Sequence, residues 1–430
     1  MPDDQDRQSG EEVPAAASAR RRFRCPSCEG LTWLAVLVGV VLRIWEYAQN
    51  RVLYMDERFL LENLTGRAVF DLWTPLTEFQ LAPPVFLVVE RLMVRLPIDH
   101  TLAARLVPLF CGIASMVLMP LVARRYVDRR AVPIATALFA LAEYLLYYSA
   151  EIKQYSCDVM FTLIALLLAA RRVQTRTLAI FGAVGAWCSH PLVFVLAGVG
   201  VHRLAAAALR KEWREATATA AMGVLWVASF GACFAVSQSL LKQGAFIWEW
   251  WNFAFLPIPP RTPGELSQIF WQLVNVTNNP SGVLTPLSPP VSAFVALGFF
   301  LVGAVALGWR WRGGLFLLLA PAGFALVAST LHKYPFHGRL LLFLVPTVHL
   351  LIAEGIATVG RRAGWLGTVA LVAFMLYRPA ANAVWHYGVM QRNRPYDSHG
   401  DLTSDLLDYF EAIERRRAMQ GPGGGMGGRP

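Results

Sequence analysis

Eleven apolar runs, near 31–49, 101–123, 131–149, 157–170, 177–188, 190–208, 217–237, 291–308, 313–331, 338–357 and 364–381, leave this chain few ways to fold. Several approach the roughly 20 residues that a bilayer core requires, while 157–170 and 177–188 fall short and need polar-flanked ends to cross. The expected fold class is therefore an all-α polytopic membrane protein with about eleven spanning helices. Composition agrees: 56% of the 430 residues are hydrophobic and only 16% are charged, more apolar than one soluble core can bury.

The net charge of +10 does not point to nucleic acid. Arg and Lys fall in short clusters between apolar runs, not along one face or tail, as membrane topology dictates. The six cysteines are scattered and imply no disulfide framework. Cys25 and Cys28 form a lone CxxC, half of the ligand set that a closed zinc site needs. Residues 1–30 are expected to form a disordered cytoplasmic leader, 31–381 the membrane domain, and 382–430 a short external tail whose Gly-rich end cannot order itself.

The segment Pro83–Pro97 decides the topology. It makes only about 22 Å of helix and carries Glu90, Arg91 and Arg95, which oppose a crossing. If it lies flat, the clusters Arg20–Arg24, Arg124–Arg130, Arg171–Arg176, Arg210–Arg214, Arg310–Arg312 and Arg361–Arg362 all fall on one side, the cytoplasmic side of the positive-inside rule. Residues 50–100 then form one external loop with two interfacial helices. The first, near Glu57–Phe70, sets Leu60, Leu61, Leu64 and Ala68 on one stripe against Arg58, Glu62 and Thr65. The second starts at the Pro83-Pro84 pair.

Four patches share the external side: 50–100, about 150–157, 238–290 and 332–339. The first opens on Asp56-Glu57-Arg58, whose acids either activate an acceptor hydroxyl or cap the interfacial helix. In the second, Glu151, Tyr155 and Asp158 share one helical face and Lys153 points away; a cation there binds a phosphate, or an ion pair plugs the bundle. The third, around Lys333, His337 and Arg339, places positive charge where topology disfavours it, which suits a resident anion or lipid headgroups. The fourth carries Trp248, Trp250 and Trp251, either an aromatic belt or a grip on a sugar or isoprenoid.

The Asp56-Glu57-Arg58 opening, the Pro83-Pro84 helix, the YSAEIKQYSCD segment ending at Asp158 and the KYPFHGR segment ending at Arg339 together resemble the GT-C glycosyltransferases. Within them the chain is most similar to the protein O-mannosyltransferase and aminoarabinose-transferase branch, over most of 31–380. The resemblance implies a GT-C-type bundle that takes a sugar from a polyprenyl-phosphate donor. An acceptor hydroxyl or amine on a glycan, lipid or protein receives it, with inversion, at the outer face of a bacterial inner membrane.

It implies Asp56 as base with Glu57 beside it, and Glu151, Lys153 and Asp158 at the active site. Arg58, Lys153, Lys333, His337 and Arg339 are the expected donor-phosphate contacts, and Tyr155, Gln80, Trp248 and Trp251 the expected substrate contacts. Two departures stand out. Leu81-Ala82 replaces the Lys or His that many relatives carry before the proline pair, a loss that Gln80 is placed to offset, and no large soluble C-terminal domain follows the bundle. No Gly-rich phosphate loop suggests a nucleotide, no cofactor is expected, and no motif argues for a divalent metal. The rival readings are a secondary transporter or flippase for an anionic or lipid-linked substrate, which needs paired broken helices at the midplane, and a non-catalytic scaffold.

Overall fold

A computed structural model describes residues 26–74, 76–77, 80–239 and 251–389 of the chain. Among the described residues every regular element is helical. Seven stretches are long and apolar enough to cross a membrane: Cys28–Ala48, His100–Tyr126, Leu192–Leu209, Trp213–Ser237, Pro289–Arg310, Arg312–Thr330 and Gly338–Ala383. Ala131–Leu141 and Glu143–Ala150, bent by 58°, make an eighth if counted as one span. The chain is an integral, multi-pass membrane protein.

In chain order the helices are α1 (Pro26–Ala48), α2 (Met55–Gly66), α3 (Pro84–Met93), α4 (His100–Ala104), α5 (Leu106–Tyr126), α6 (Ala131–Leu141), α7 (Glu143–Tyr147) and α8 (Tyr155–Ala170). They continue as α9 (Thr175–Gly185), α10 (Leu192–Leu209), α11 (Trp213–Ser239), α12 (Pro263–Asn275), α13 (Pro289–Arg310), α14 (Arg312–Thr330) and α15 (Val345–Val389). The expected runs at 157–170 and 177–188 are the short helices α8 and α9. The last two expected runs fall in α15, whose ~68 Å would be more than twice a bilayer core if it were straight. It is not straight. Gly364 breaks it with φ 75°, a conformation that favours glycine. A methyl on Gly360 would meet the Thr368 side chain, although eight residues of straight helix span about 12 Å. The chain therefore doubles back there as a helical hairpin.

The centre of the bundle is α5, packed on α1, α6 and α8, with α15 lying between α6 and α13. Gly303 of α13 and Gly355 of α15 let two backbones meet: a Cβ on Gly303 would collide with the Leu351 carbonyl, and one on Gly355 with the Phe299 carbonyl. Lipid offers no hydrophobic drive between helices, so such close approach supplies the packing.

One end of the bundle gathers the charge clusters. Glu354, fully buried, accepts the backbone N–H of Asp128 at 2.6 Å and pairs with Arg310 at 2.6 Å. Arg361 reaches Asp128 at 3.5 Å, and Arg124 lies 3.7 Å from Glu29. Three of the expected clusters, Arg124–Arg130, Arg310–Arg312 and Arg361–Arg362, thus meet at one end from segments far apart in sequence, while Arg20–Arg24 lies outside the described residues.

The other end is roofed by the 50–100 loop. Both flat helices form, as α2 and α3. The buried stripe of α2 is Leu60 and Leu64, which pack with Leu72, Phe86 and Leu87 onto Ile152 and on Cys111 and Cys157 of the bundle. Each such leucine contributes ~1.5–3 kcal/mol relative to exposure in water. Helix α3 has ten residues, too few to cross. Its Glu90 is fully buried with neither carboxylate oxygen partnered, and burial pushes its pKa well above the usual carboxylate range, so the group is held neutral.

This arrangement makes a topological prediction. Single cysteines at Phe70 and Lys333, both exposed, should react with an impermeant thiol reagent from one side of the membrane, and one at Arg129 from the other. Labelling of Phe70 and Arg129 positions from the same side would show that α3 crosses.

Candidate active site

Three chain segments converge under the roof: the start of α2, the turn at 151–154 and the short 3-10 helix at Gly338–Leu344. Two residues of the Asp-Glu pair that opens α2 take different tasks. Glu57 is completely buried. One of its oxygens accepts from Arg105 at 3.1 Å and from the Ile152 backbone N–H at 3.0 Å; the other accepts from the Tyr54 N–H at 3.1 Å. It therefore caps α2 and ties the first loop to the 151–154 turn. Its oxygens are engaged by protein donors.

Asp56 faces the site instead. Its Oδ2 accepts from Arg339 Nη2 at 2.6 Å, and Lys153 acts on it electrostatically. Burial alone would raise its pKa, but Lys153 and Arg339 outweigh that and hold it down to about 2. Lys153 is buried and donates to Gln80 Oε1 at 2.6 Å. Burial lowers the Lys153 pKa, and the Asp56 charge works against that shift. The Gln80 backbone N–H donates to the Thr77 carbonyl at 3.4 Å, and Asn63 donates to Thr77 Oγ1 at 2.9 Å and accepts the Thr77 N–H at 3.0 Å.

Glu151 lies beside this group, 1% exposed, with Oε1 unpartnered. Burial and the Glu57 charge push its pKa up to about 7 against the pull of Arg51, Arg339 and Lys153. The ring of Tyr155 stands 5.8 Å from the Arg339 guanidinium carbon and packs edge-on to Tyr148 at 5.0 Å. Trp251 stacks on Phe253 at 5.9 Å, and Phe253 meets His337 edge-on at 5.2 Å, so this aromatic chain ends beside Arg339.

The remaining expected residues lie elsewhere. Arg58 is exposed and pairs along its own helix with Glu62 at 3.0 Å, facing away from Asp56. Lys333 is exposed. Asp158 is buried beside Ser189, and no hydrogen bond or ion pair among the described residues joins it to Asp56. Trp248 falls outside the described residues. Sequence reasoning missed Arg105, Arg51 and Asn63. The signal for Arg105 was present, because an arginine at the head of an apolar run needs a partner. Asn63 is 2% exposed.

Among the described residues no three His, Cys, Asp or Glu side chains come together as a metal site.

No protein-family model matches the chain, and no curated protein does. Several solved structures are similar. An Archaeoglobus fulgidus oligosaccharyltransferase in complex with Zn and sulfate shares 13% identity at a TM-score of 0.47, covering 83% of this chain and 53% of that one. The oligosaccharyltransferase AglB from the same organism, with an inhibitory peptide and a dolichol-phosphate, gives 14%, 0.47, 84% and 56%. ArnT from Cupriavidus metallidurans bound to undecaprenyl phosphate gives 17%, 0.49, 79% and 62%. The chain spans a little over half of the length of the proteins it matches. Likenesses this distant leave the functional reading to the geometry around Asp56.

Proposed function

We propose that this protein is a membrane glycosyltransferase that moves a sugar from a polyprenyl-phosphate donor to an acceptor hydroxyl or amine. The observation that carries the reading is the contact of Asp56 with Arg339, both half-buried, with the buried Lys153 alongside, at one end of the bundle. A carboxylate and two cations are what an inverting transfer from a lipid phosphate requires. Asp56 takes the proton of the attacking hydroxyl, the acceptor oxygen bonds to the anomeric carbon, and the bond from that carbon to the phosphate oxygen breaks. The electron pair leaves with the lipid phosphate, whose growing charge Arg339 and Lys153 neutralise in a site largely closed to water.

Arg339 can serve both partners at once. Asp56 uses Nη2, and a guanidinium has further N–H donors in its fork for phosphate oxygens. Donor binding also prepares the base. In the resting site Asp56 is too weakly basic to take a proton readily, but the singly charged phosphodiester of the donor, placed on Arg339 and Lys153, offsets part of the field that lowers its pKa. The positive clusters at the far end of the bundle favour a non-cytoplasmic placement of this site, and the resemblance to polyprenyl-phosphate-dependent transferases suggests the periplasmic face of a bacterial inner membrane. Acceptors on a glycan, lipid or protein all fit the chemistry.

Arg339→Ala should weaken binding of a polyprenyl phosphate to the purified protein in nanodiscs by about tenfold or more, since a charge-assisted hydrogen bond contributes ~1.5–3 kcal/mol. Turnover should fall with it, because the same cation meets the phosphate before and during bond breaking. Unchanged lipid-phosphate affinity in this variant would remove Arg339 from the donor site.

A further inference from the structure

A cavity of about 410 Å3 opens between α12, the start of α13 and the Phe336–Leu341 segment, within the roughly 300–1,000 Å3 of small-molecule sites. It adjoins the reaction centre through Gly338, which lines it, while the next residue, Arg339, holds Asp56. Its chemistry differs from that centre. Five of its sixteen lining residues are side-chain amides, and none is Asp, Glu, Lys or Arg. With no Lys or Arg for a phosphate, no carboxylate for an amine, and its one imidazole, His337, packed edge-on against Phe253, the lining suits a neutral ligand.

The amides are also fixed in orientation. Gln272 Nε2 donates to the Phe253 carbonyl at 3.0 Å, and Asn278 Nδ2 donates to the Pro289 carbonyl at 3.2 Å. A backbone carbonyl can only accept, so neither amide can be turned round. Their oxygens are the uncommitted ends. Among the described residues Gln272 Oε1, Asn278 Oδ1 and Asn279 Oδ1 are all shielded from solvent and without a hydrogen-bond partner. Buried acceptors left unpaired are costly, and hydroxyl groups are the neutral donors that relieve them. Phe253 and Trp271 add aromatic surface, each about half exposed. The C–H face of a sugar ring packs on such surface while its hydroxyls meet the amides.

We propose that this cavity is a saccharide subsite, holding an uncharged, hydroxyl-bearing sugar ring of one of the two substrates beside Asp56. The proposal rests on the glycosyl-transfer reading for its purpose, and its test is independent of transfer. Saturation-transfer NMR on the full chain in nanodiscs would use methyl α-D-mannopyranoside, methyl α-D-glucopyranoside, methyl β-D-galactopyranoside and methyl α-D-arabinofuranoside. At least one should give a saturable signal. Gln272→Leu and Asn279→Leu should each weaken it by about fivefold or more, and Asp56→Asn should leave it in place.

The source of the ring is read by adding lipids. If it belongs to the donor, the two leucine variants lose affinity for a sugar-bearing polyprenyl phosphate but not for the bare lipid phosphate. If it belongs to the acceptor, both lipids bind as before and only the acceptor KM rises. Either result supports the subsite. The proposal is overturned if none of the four glycosides saturates the wild-type protein, or if both leucine variants, folded by thermal melting, bind them undiminished. Loss of transfer in Asp56→Asn together with no glycoside binding rejects the cavity and keeps the enzyme; glycoside binding by a wild-type protein that transfers nothing does the reverse.

Discussion

Asp56→Asn should lower sugar transfer by about a hundredfold or more while leaving donor binding intact. The amide keeps the size of the side chain and can still accept a hydrogen bond from Arg339, but it cannot take a proton. Removing the negative charge also leaves Arg339 and Lys153 freer to hold a phosphate, so donor affinity should stay level or rise. That pairing of lost turnover with retained binding marks a base. A flippase or transporter using the same cations would move its lipid substrate normally in this variant, and normal transfer in vesicles loaded with donor and acceptor would reduce Asp56 to a helix-start residue.

The pH profile gives a second readout of the same assignment. Asp56, held at about 2 in the free enzyme, is ionised throughout the accessible range. An acid limb of kcat/KM near neutrality would therefore report Glu151, pushed up to about 7, and should persist in any variant that keeps Glu151.

The Glu57–Arg105 pair should show the largest stability effect. Both side chains are essentially buried and 3.1 Å apart, and Glu57 also receives the Ile152 N–H. Replacing Glu57 by Gln strands a buried guanidinium, and replacing Arg105 by Met strands a buried carboxylate. Each should cost about 3–5 kcal/mol, measured by denaturant or thermal unfolding in nanodiscs. The double variant should recover much of that loss, because neither charge is then left alone. Single changes within about 0.5 kcal/mol of wild type would mean that water reaches the pair and the roof is loosely held.

Much of the architecture was legible beforehand because bilayer physics acts on local sequence. The short helix at Pro84–Met93 followed from the length of its apolar run, and the buried pair Leu60 and Leu64 from helical period, whereas Ala68, expected on the same stripe, is exposed beyond the helix end at Gly66. The count of about eleven spans is a different matter. Seven helices meet the length and hydropathy criterion, eight with the bent pair, and the rest of the expected count falls on the short α8 and α9 and on the two arms of α15.

Within the site, sequence brought Asp56, Lys153 and Arg339 into consideration, since each sits near an edge of an apolar run where an ion needs a partner or a task, and Gln80 entered only through the family resemblance. It could not divide labour between Asp56 and Glu57, which adjoin on α2 and differ only in what lies opposite. Nor could it place Arg58, whose i,i+4 partner Glu62 draws it away from the site.

What the sequence determined by itself is the set of constraints that read along the chain: which segments prefer lipid, which lie flat, and which end of the bundle collects the positive clusters. What only the tertiary structure decided is pairing across hundreds of residues. Arg339 and Asp56 stand 283 positions apart and meet at 2.6 Å. Hydropathy and helical period carry no information about such distant pairs, whereas a buried charge is stable only where the packed helices deliver its partner.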